Sequence, residues 1–167
     1  MIFITLGSQK FQFNRLLKKI DELIEDGTIQ EEVFAQIGAS DYKPKHFGYI
    51  DFMNNGQFNE YEGKADMIIT HGGTGAIIGA VKQGKKVIAV PRLSKFGEHV
   101  DDHQIQLLKQ FDEMGIIESC YDVENLAQSY QKALVSTYTP YLSNTQTIIN
   151  SIEDYIGQIF GNGKEEE

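Results

Sequence analysis

Short apolar runs alternate with amphipathic stretches along this chain, and that alternation leaves few folds open. Residues 2–6 (Ile-Phe-Ile-Thr-Leu), 33–37, 65–70 and 86–90 are runs of strand length rich in β-branched and aromatic side chains. Residues 47–52 and 116–117 are weaker, shorter candidates. Between them, Phe13, Leu16, Leu17, Ile20, Leu23 and Ile24 recur at steps of three and four, with Lys18, Lys19, Asp21 and Glu22 interposed. That is an amphipathic helix, and Asp26-Gly27 stops it. Helices are likewise expected over residues 74–83, 101–114, 123–135 and 145–160, and a short helix or turn over 58–64. Asp101 or Asp102 is placed to cap the helix over 101–114.

Apolar strands without internal alternation are buried on both faces, which happens in parallel sheets covered by helices. The expectation is therefore α/β: a Rossmann-like parallel sheet with helices on both faces, in a single domain over residues 1–160, followed by a flexible tail at 161–167. Ligands of such folds bind at the carboxyl ends of the strands. Three loops leave that edge, at residues 7–12, 71–75 and 92–103, and all are rich in glycine or polar residues.

The middle loop, His71-Gly72-Gly73-Thr74-Gly75, joins an apolar strand to an apolar-faced helix. Glycines let backbone turn tightly and approach a ligand, while a helix N-terminus presents unpaired N–H groups and partial positive charge. Such a turn suits a pyrophosphate; the plainer reading is a tight strand-to-helix connection. No Gly-Lys-Ser/Thr follows at Walker A spacing, and the position and glycine spacing differ from the dehydrogenase fingerprint. A nucleotide phosphoribohydrolase is a poor reading as well, because the glycine order differs and the following helix carries no Glu.

Charge narrows the ligand. The net charge of -9 argues against nucleic acid as a partner, since phosphate backbones are held by clustered Lys and Arg. A nucleotide remains open, because one or two phosphates need only backbone N–H groups. Cys120 is the single cysteine, which fits a reducing, cytoplasmic setting. The opening residues lack the basic flank and length of a signal peptide, and no window approaches the roughly 18 apolar residues of a membrane span.

Three segments together resemble a known family. Residues 65–75, ending in Thr70-His71-Gly72-Gly73-Thr74-Gly75, then 84–91 (Gly-Lys-Lys-Val-Ile-Ala-Val-Pro), then Asp101-Asp102-His103-Gln104, are similar to the C-terminal domain of glycosyltransferase family 28. With the opening Ile4-Thr5-Leu6-Gly7-Ser8, the likeness covers roughly residues 1–155. Within the family it is similar to the small catalytic subunit of the dolichol-linked N-acetylglucosaminyltransferase, and nearest to the small subunits of split bacterial enzymes from capsule and exopolysaccharide clusters.

The resemblance implies the donor-binding half of a GT-B fold, and with it a set of site residues. His71, Gly72, Gly73, Thr74 and Gly75 would meet the donor diphosphate, and Asp101, Asp102, His103 and Gln104 would lie near the donor sugar. Gly7 and Ser8, on the loop facing the cleft, would also bind the donor. The implied reaction is an inverting hexosyl transfer from a UDP-sugar, a substrate rather than a cofactor, to a lipid-linked saccharide. UDP-galactose comes first among donors, with UDP-N-acetylglucosamine and UDP-glucose next. Glu98 and His99 are the candidate bases in this chain, unless a partner supplies the base. Paired His and Asp suggest a metal, but the enzymes resembled need none, so none is expected. A membrane-anchored second subunit would supply the acceptor-binding half and bring the chain to the inner face of the membrane. The alternative is a donor-binding subunit with no chemistry of its own. One position departs from the pattern: where many donor domains carry a ribose-holding Glu, this chain has Gly79.

Overall fold

The computed structural model describes residues 1–142. The expected helix at 145–160, the tail at 161–167 and the domain end at 160 lie outside the described residues. Six strands form one parallel sheet: β1 (Ile2–Thr5), β2 (Val33–Gln36), β3 (Gly48–Ile50), β4 (Met67–His71), β5 (Lys86–Val90) and β6 (Glu118–Ser119). Their spatial order is β3-β2-β1-β4-β5-β6. The chain first builds outward from β1 on one side, then returns to β1's other edge and builds away from it. Ile4 of β1 pairs with Ala35 on one side and Ile69 on the other.

Alternate strand residues feed two cores. Ile2, Ile4 and Leu6 face α1 (Asn14–Glu25) and α5 (Leu126–Val135), packing with Leu16, Leu17, Ile20, Leu126 and Tyr130. Phe3, Ile68 and Val87 face α2 (Asn55–Lys64), α3 (Thr74–Lys82) and α4 (His103–Glu113), with Ile77, Ala80, Leu108 and Phe111. Burial of both faces explains why the strands read as unbroken apolar runs.

Several boundaries differ from the sequence expectation, and three of them have a clear local cause. β6 lies at Glu118–Ser119 rather than at 116–117. Ile116 and Ile117 are buried, but the ladder to β5 forms two residues later, pairing Ile88 with Glu118. α2 starts at Asn55 instead of 58, because Asn54 and Gln57 form a reciprocal capping box. α4 begins at His103, and neither candidate aspartate caps it in the ordinary way. Asp102 sits at the cap position but turns its Oδ1 to the Ser94 N–H at 2.7 Å. No helix among the described residues is long and apolar enough to cross a membrane.

Candidate functional site at the carboxyl edge

The strand order reverses between β1 and β4, so the loops leaving these two strands open a crevice at the carboxyl edge. The loop from β1 begins at Gly7, which has φ +73°, and the loop from β4 is the glycine-rich turn. Thr70 Oγ1 donates to Thr5 O at 2.8 Å, tying the two strand ends together.

The three glycines of the turn, and Gly7 across from it, do different work. A side chain at Gly73 would overlap the His71 imidazole, with Cε1 only 2.9 Å from its Cβ. One at Gly7 would stand 2.8 Å from the same Cε1. The imidazole therefore lies between two bare stretches of backbone. Gly72 leaves room for α4: its Cβ would meet Leu108 Cδ1 at 2.7 Å and Gln104 Cβ at 2.8 Å. Gly75 is exposed, and nothing lies within 4 Å of where its Cβ would be. Of these four, only Gly75 leaves space that the described protein does not fill. Thr74 beside it is also exposed.

Thr74, Gly75 and Ala76 form the first turn of α3, and the cap residue Gly73 offers no side-chain acceptor. The first N–H groups of a helix have no carbonyl one turn back, so they point outward with partial positive charge. The arrangement is suited to an anion such as a diphosphate.

His71 is held neutral. Burial, then the nearby Arg92 guanidinium, push its pKa down to about 4 from 6.5. The sign of the consequence is fixed: between pH 6.5 and 4 the unfolded chain takes up a proton that the folded chain refuses. Stability should fall by up to about 3 kcal/mol over that window and show no contribution from this group above it. Urea denaturation of wild type and His71→Gln across pH 4–7 checks this; the variant should have the shallower dependence.

The third loop is organised by buried charge. Arg92, immediately after β5, is 2% exposed and donates to Leu6 O (2.6 Å), Phe11 O (2.8 Å) and Glu98 O (3.2 Å). It thereby ties the β1 loop to the β5–α4 loop. Burial lowers its pKa to about 10, against an opposing pull from Glu98, so it stays charged at neutral pH.

Glu98 is fully buried and takes two hydrogen bonds from Arg15, at 3.0 and 2.9 Å, plus the Leu93 N–H at 3.0 Å. As a candidate base, Glu98 is placed with both carboxylate oxygens engaged by Arg15, so it could serve an acceptor hydroxyl only if that pair opened. His99, the other candidate, packs its ring against Phe11 with centroids 5.2 Å apart.

Gln104 is 4% exposed, and its Oε1 accepts from both Gly72 N (3.1 Å) and Arg92 N (2.9 Å). It clamps the glycine-rich turn to the end of β5, so that oxygen faces the chain's own backbone rather than a sugar. Asp101 and His103 are exposed, hydrogen-bonded to each other through Asp101 Oδ1 and His103 Nδ1. Bonds from the His103 side chain and N–H hold the Asp101 carboxyl below its usual pKa, so it is ionised. Ser8 is exposed on the β1 loop.

The acid absent at Gly79 has a neighbour in space. Glu62 of α2 is 6% exposed, with Oε1 3.6 Å from the position of a Gly79 Cβ and Oε2 hydrogen-bonded by Gln83. Sequence reasoning missed Glu62, Arg15 and Arg92. For Arg92, its place directly after Pro91 at the end of a buried strand was the available signal.

The strand order and the glycine-rich turn at the switch point define a Rossmann-like α/β domain with its ligand edge intact. The chain belongs to the glycosyltransferase family 28 C-terminal domain family, whose model matches residues 1–159. Solved structures of similar fold include a glycotransferase, MurG and ALG13. The glycotransferase of kitacinnamycin has a TM-score of 0.61 at 16% identity, covering 81% of this chain and 35% of that one. MurG of Acinetobacter baumannii has a TM-score of 0.57 at 19% identity, covering 80% and 40%. ALG13 has a TM-score of 0.58 at 17% identity, covering 90% of this chain and 93% of that one. A comparison with curated protein sequences gave no match. At these identities the likeness shows the fold, the Rossmann-like half of a GT-B glycosyltransferase.

Proposed function

We propose that this chain is the donor-binding, catalytic subunit of an inverting glycosyltransferase. It would move a hexose, galactose before others, from a UDP-sugar to a lipid-linked saccharide in capsular or exopolysaccharide biosynthesis. The observation that carries the reading is the open first turn of α3: Thr74 and Gly75 are exposed, and Gly75 has an unfilled face. A diphosphate leaving toward those N–H groups would have its developing charge stabilised by fixed dipoles and the Thr74 hydroxyl, without a metal in the reaction.

This chain is nearly coextensive with ALG13 but spans only 35% and 40% of the two longer glycosyltransferases above. We propose that a membrane-anchored partner supplies the remaining half and draws this chain to the cytoplasmic face of the membrane. The engagement of Glu98 with Arg15 favours a base contributed by that partner, because the acid best placed by sequence is already occupied. The same observation favours the second reading, a donor-binding subunit with no chemistry of its own. Turnover of UDP-sugars with a lipid-linked acceptor, with and without the partner, separates the two.

The first test is thermal denaturation with UDP, UDP-galactose, UDP-glucose, UDP-N-acetylglucosamine and GDP. Uridine nucleotides should raise the melting temperature in a concentration-dependent way, as ligands of the native state do. A panel in which no uridine nucleotide stabilises the protein overturns the donor-site reading.

A further inference from the structure

Three potential metal ligands come from five consecutive residues, His99-Val100-Asp101-Asp102-His103, between β5 and the first turn of α4. One ligand atom from each of His99, Asp101 and His103 lies within 4.8 Å of the others. Asp101 Oδ1 is 3.2 Å from His99 Nδ1 and in hydrogen-bond contact with His103 Nδ1. A tetrahedral ion with bonds of about 2.0–2.1 Å sets its ligand atoms about 3.4 Å apart. The cluster needs only small side-chain shifts to reach that spacing.

The placement and the donor set suit a cation. His99 Nδ1 lies 3.4 Å from the Asp101 backbone nitrogen and 3.2 Å from Asp101 Oδ1, so ligand atoms of the two side chains face the same small space. Two imidazoles and one carboxylate are the donor set of open three-ligand zinc sites, which keep a fourth position for water. Magnesium and calcium prefer all-oxygen surroundings, and two imidazoles select against them.

The ligands are also pre-positioned. Glu98, just before them, is fixed by Arg15, Leu93 N and the Arg92 guanidinium, while Gln104, just after, is fixed by Gly72 N and Arg92 N. Packing on Phe11 holds the His99 ring, whose side chain is 9% exposed, and the His103 ring lies edge-on to it at 4.9 Å. Asp102 is engaged separately with Ser94 N. An ion binding here would lose little side-chain freedom, because the supporting shell is already in place.

We propose that His99, Asp101 and His103 form a zinc site that clips the β5–α4 loop to the first turn of α4. Its evidence is the geometry of these three side chains and does not rest on the donor reading. The test uses chelator-treated protein freed of any histidine tag. Zn2+ is titrated calorimetrically, and Co2+ is followed by its visible absorption. One equivalent of Zn2+ should bind, Co2+ should give a tetrahedral spectrum, and Zn2+ but not Mg2+ should raise the melting temperature. His103→Ala and Asp101→Asn, both at exposed positions, should fold normally and bind more than about tenfold more weakly, since losing even an outer-shell partner has that effect. His46→Ala, at a histidine elsewhere, should bind as wild type does. Undiminished Zn2+ binding in His103→Ala, no binding by the wild type, or equal stabilisation by Mg2+ would each overturn the proposal.

Discussion

Replacing Arg92 with alanine is expected to lower the free energy of unfolding by about 3–5 kcal/mol, the loss seen when one member of a buried charged network is removed. The guanidinium satisfies the carbonyls of Leu6, Phe11 and Glu98, and its removal leaves all three facing a cavity. Glu98 would also lose a nearby opposite charge, though Arg15 remains bonded to it. Arg92→Lys should recover little. An ammonium cannot span three carbonyls approached from two loops, whereas the guanidinium fork can. Urea denaturation gives the stability change. Amide exchange of residues 7–12 gives the local one, because that loop is held to the third loop by this side chain. If Arg92→Ala unfolds within about 1 kcal/mol of wild type, the buried staple is not what orders the edge.

Gly72→Ala should be the second large effect, about 2–3 kcal/mol destabilising, as for other insertions into a packed interior. The added methyl group would meet Leu108 Cδ1 at 2.7 Å and Gln104 Cβ at 2.8 Å. Both belong to α4, so relief requires the helix to move away from the turn. That movement stretches the two hydrogen bonds that Gln104 Oε1 accepts from Gly72 N and Arg92 N. Three residues on, Gly75→Ala meets nothing and exchanges a poor helix former for the best one. It should gain up to about 1 kcal/mol. A motif whose glycines existed only for ligand approach would give no such opposite signs. Denaturation midpoints of the two single variants check the pair.

The contrast also shows how much could be read from the chain itself. The strands β1, β2, β4 and β5 were legible because burial on both faces demands unbroken apolar runs. β6 was not, since Glu118 and Ser119 carry no strand signature and their pairing is decided by the position of β5. The start of α2 followed from Asn54 and Gln57, a capping pair visible in the sequence but easily passed over beside a weak apolar pattern. At the site, the location of the glycine-rich turn was legible, while the reason for each glycine was not. What fills the space over Gly7, Gly72 and Gly73 is His71, Gln104 and Leu108, and those approaches exist only after folding. Glu98 reads as a loop acid and Arg92 as a loop base. Both are buried because partners distant in sequence, Arg15 and Leu6, converge on them.

The central claim is that the open first turn of α3 binds the diphosphate of a uridine nucleotide, and calorimetric titration of UDP tests it most directly. Wild type is compared with a Thr74→Ala, Gly75→Val double variant. Both positions are exposed and Gly75 has no neighbour within 4 Å, so the variant should fold as wild type does. The expected result is saturable UDP binding by wild type and a loss of at least about 1.4 kcal/mol, or tenfold in Kd, in the variant. Equal UDP affinity in a folded variant would contradict the account and remove the glycine-rich turn from the site.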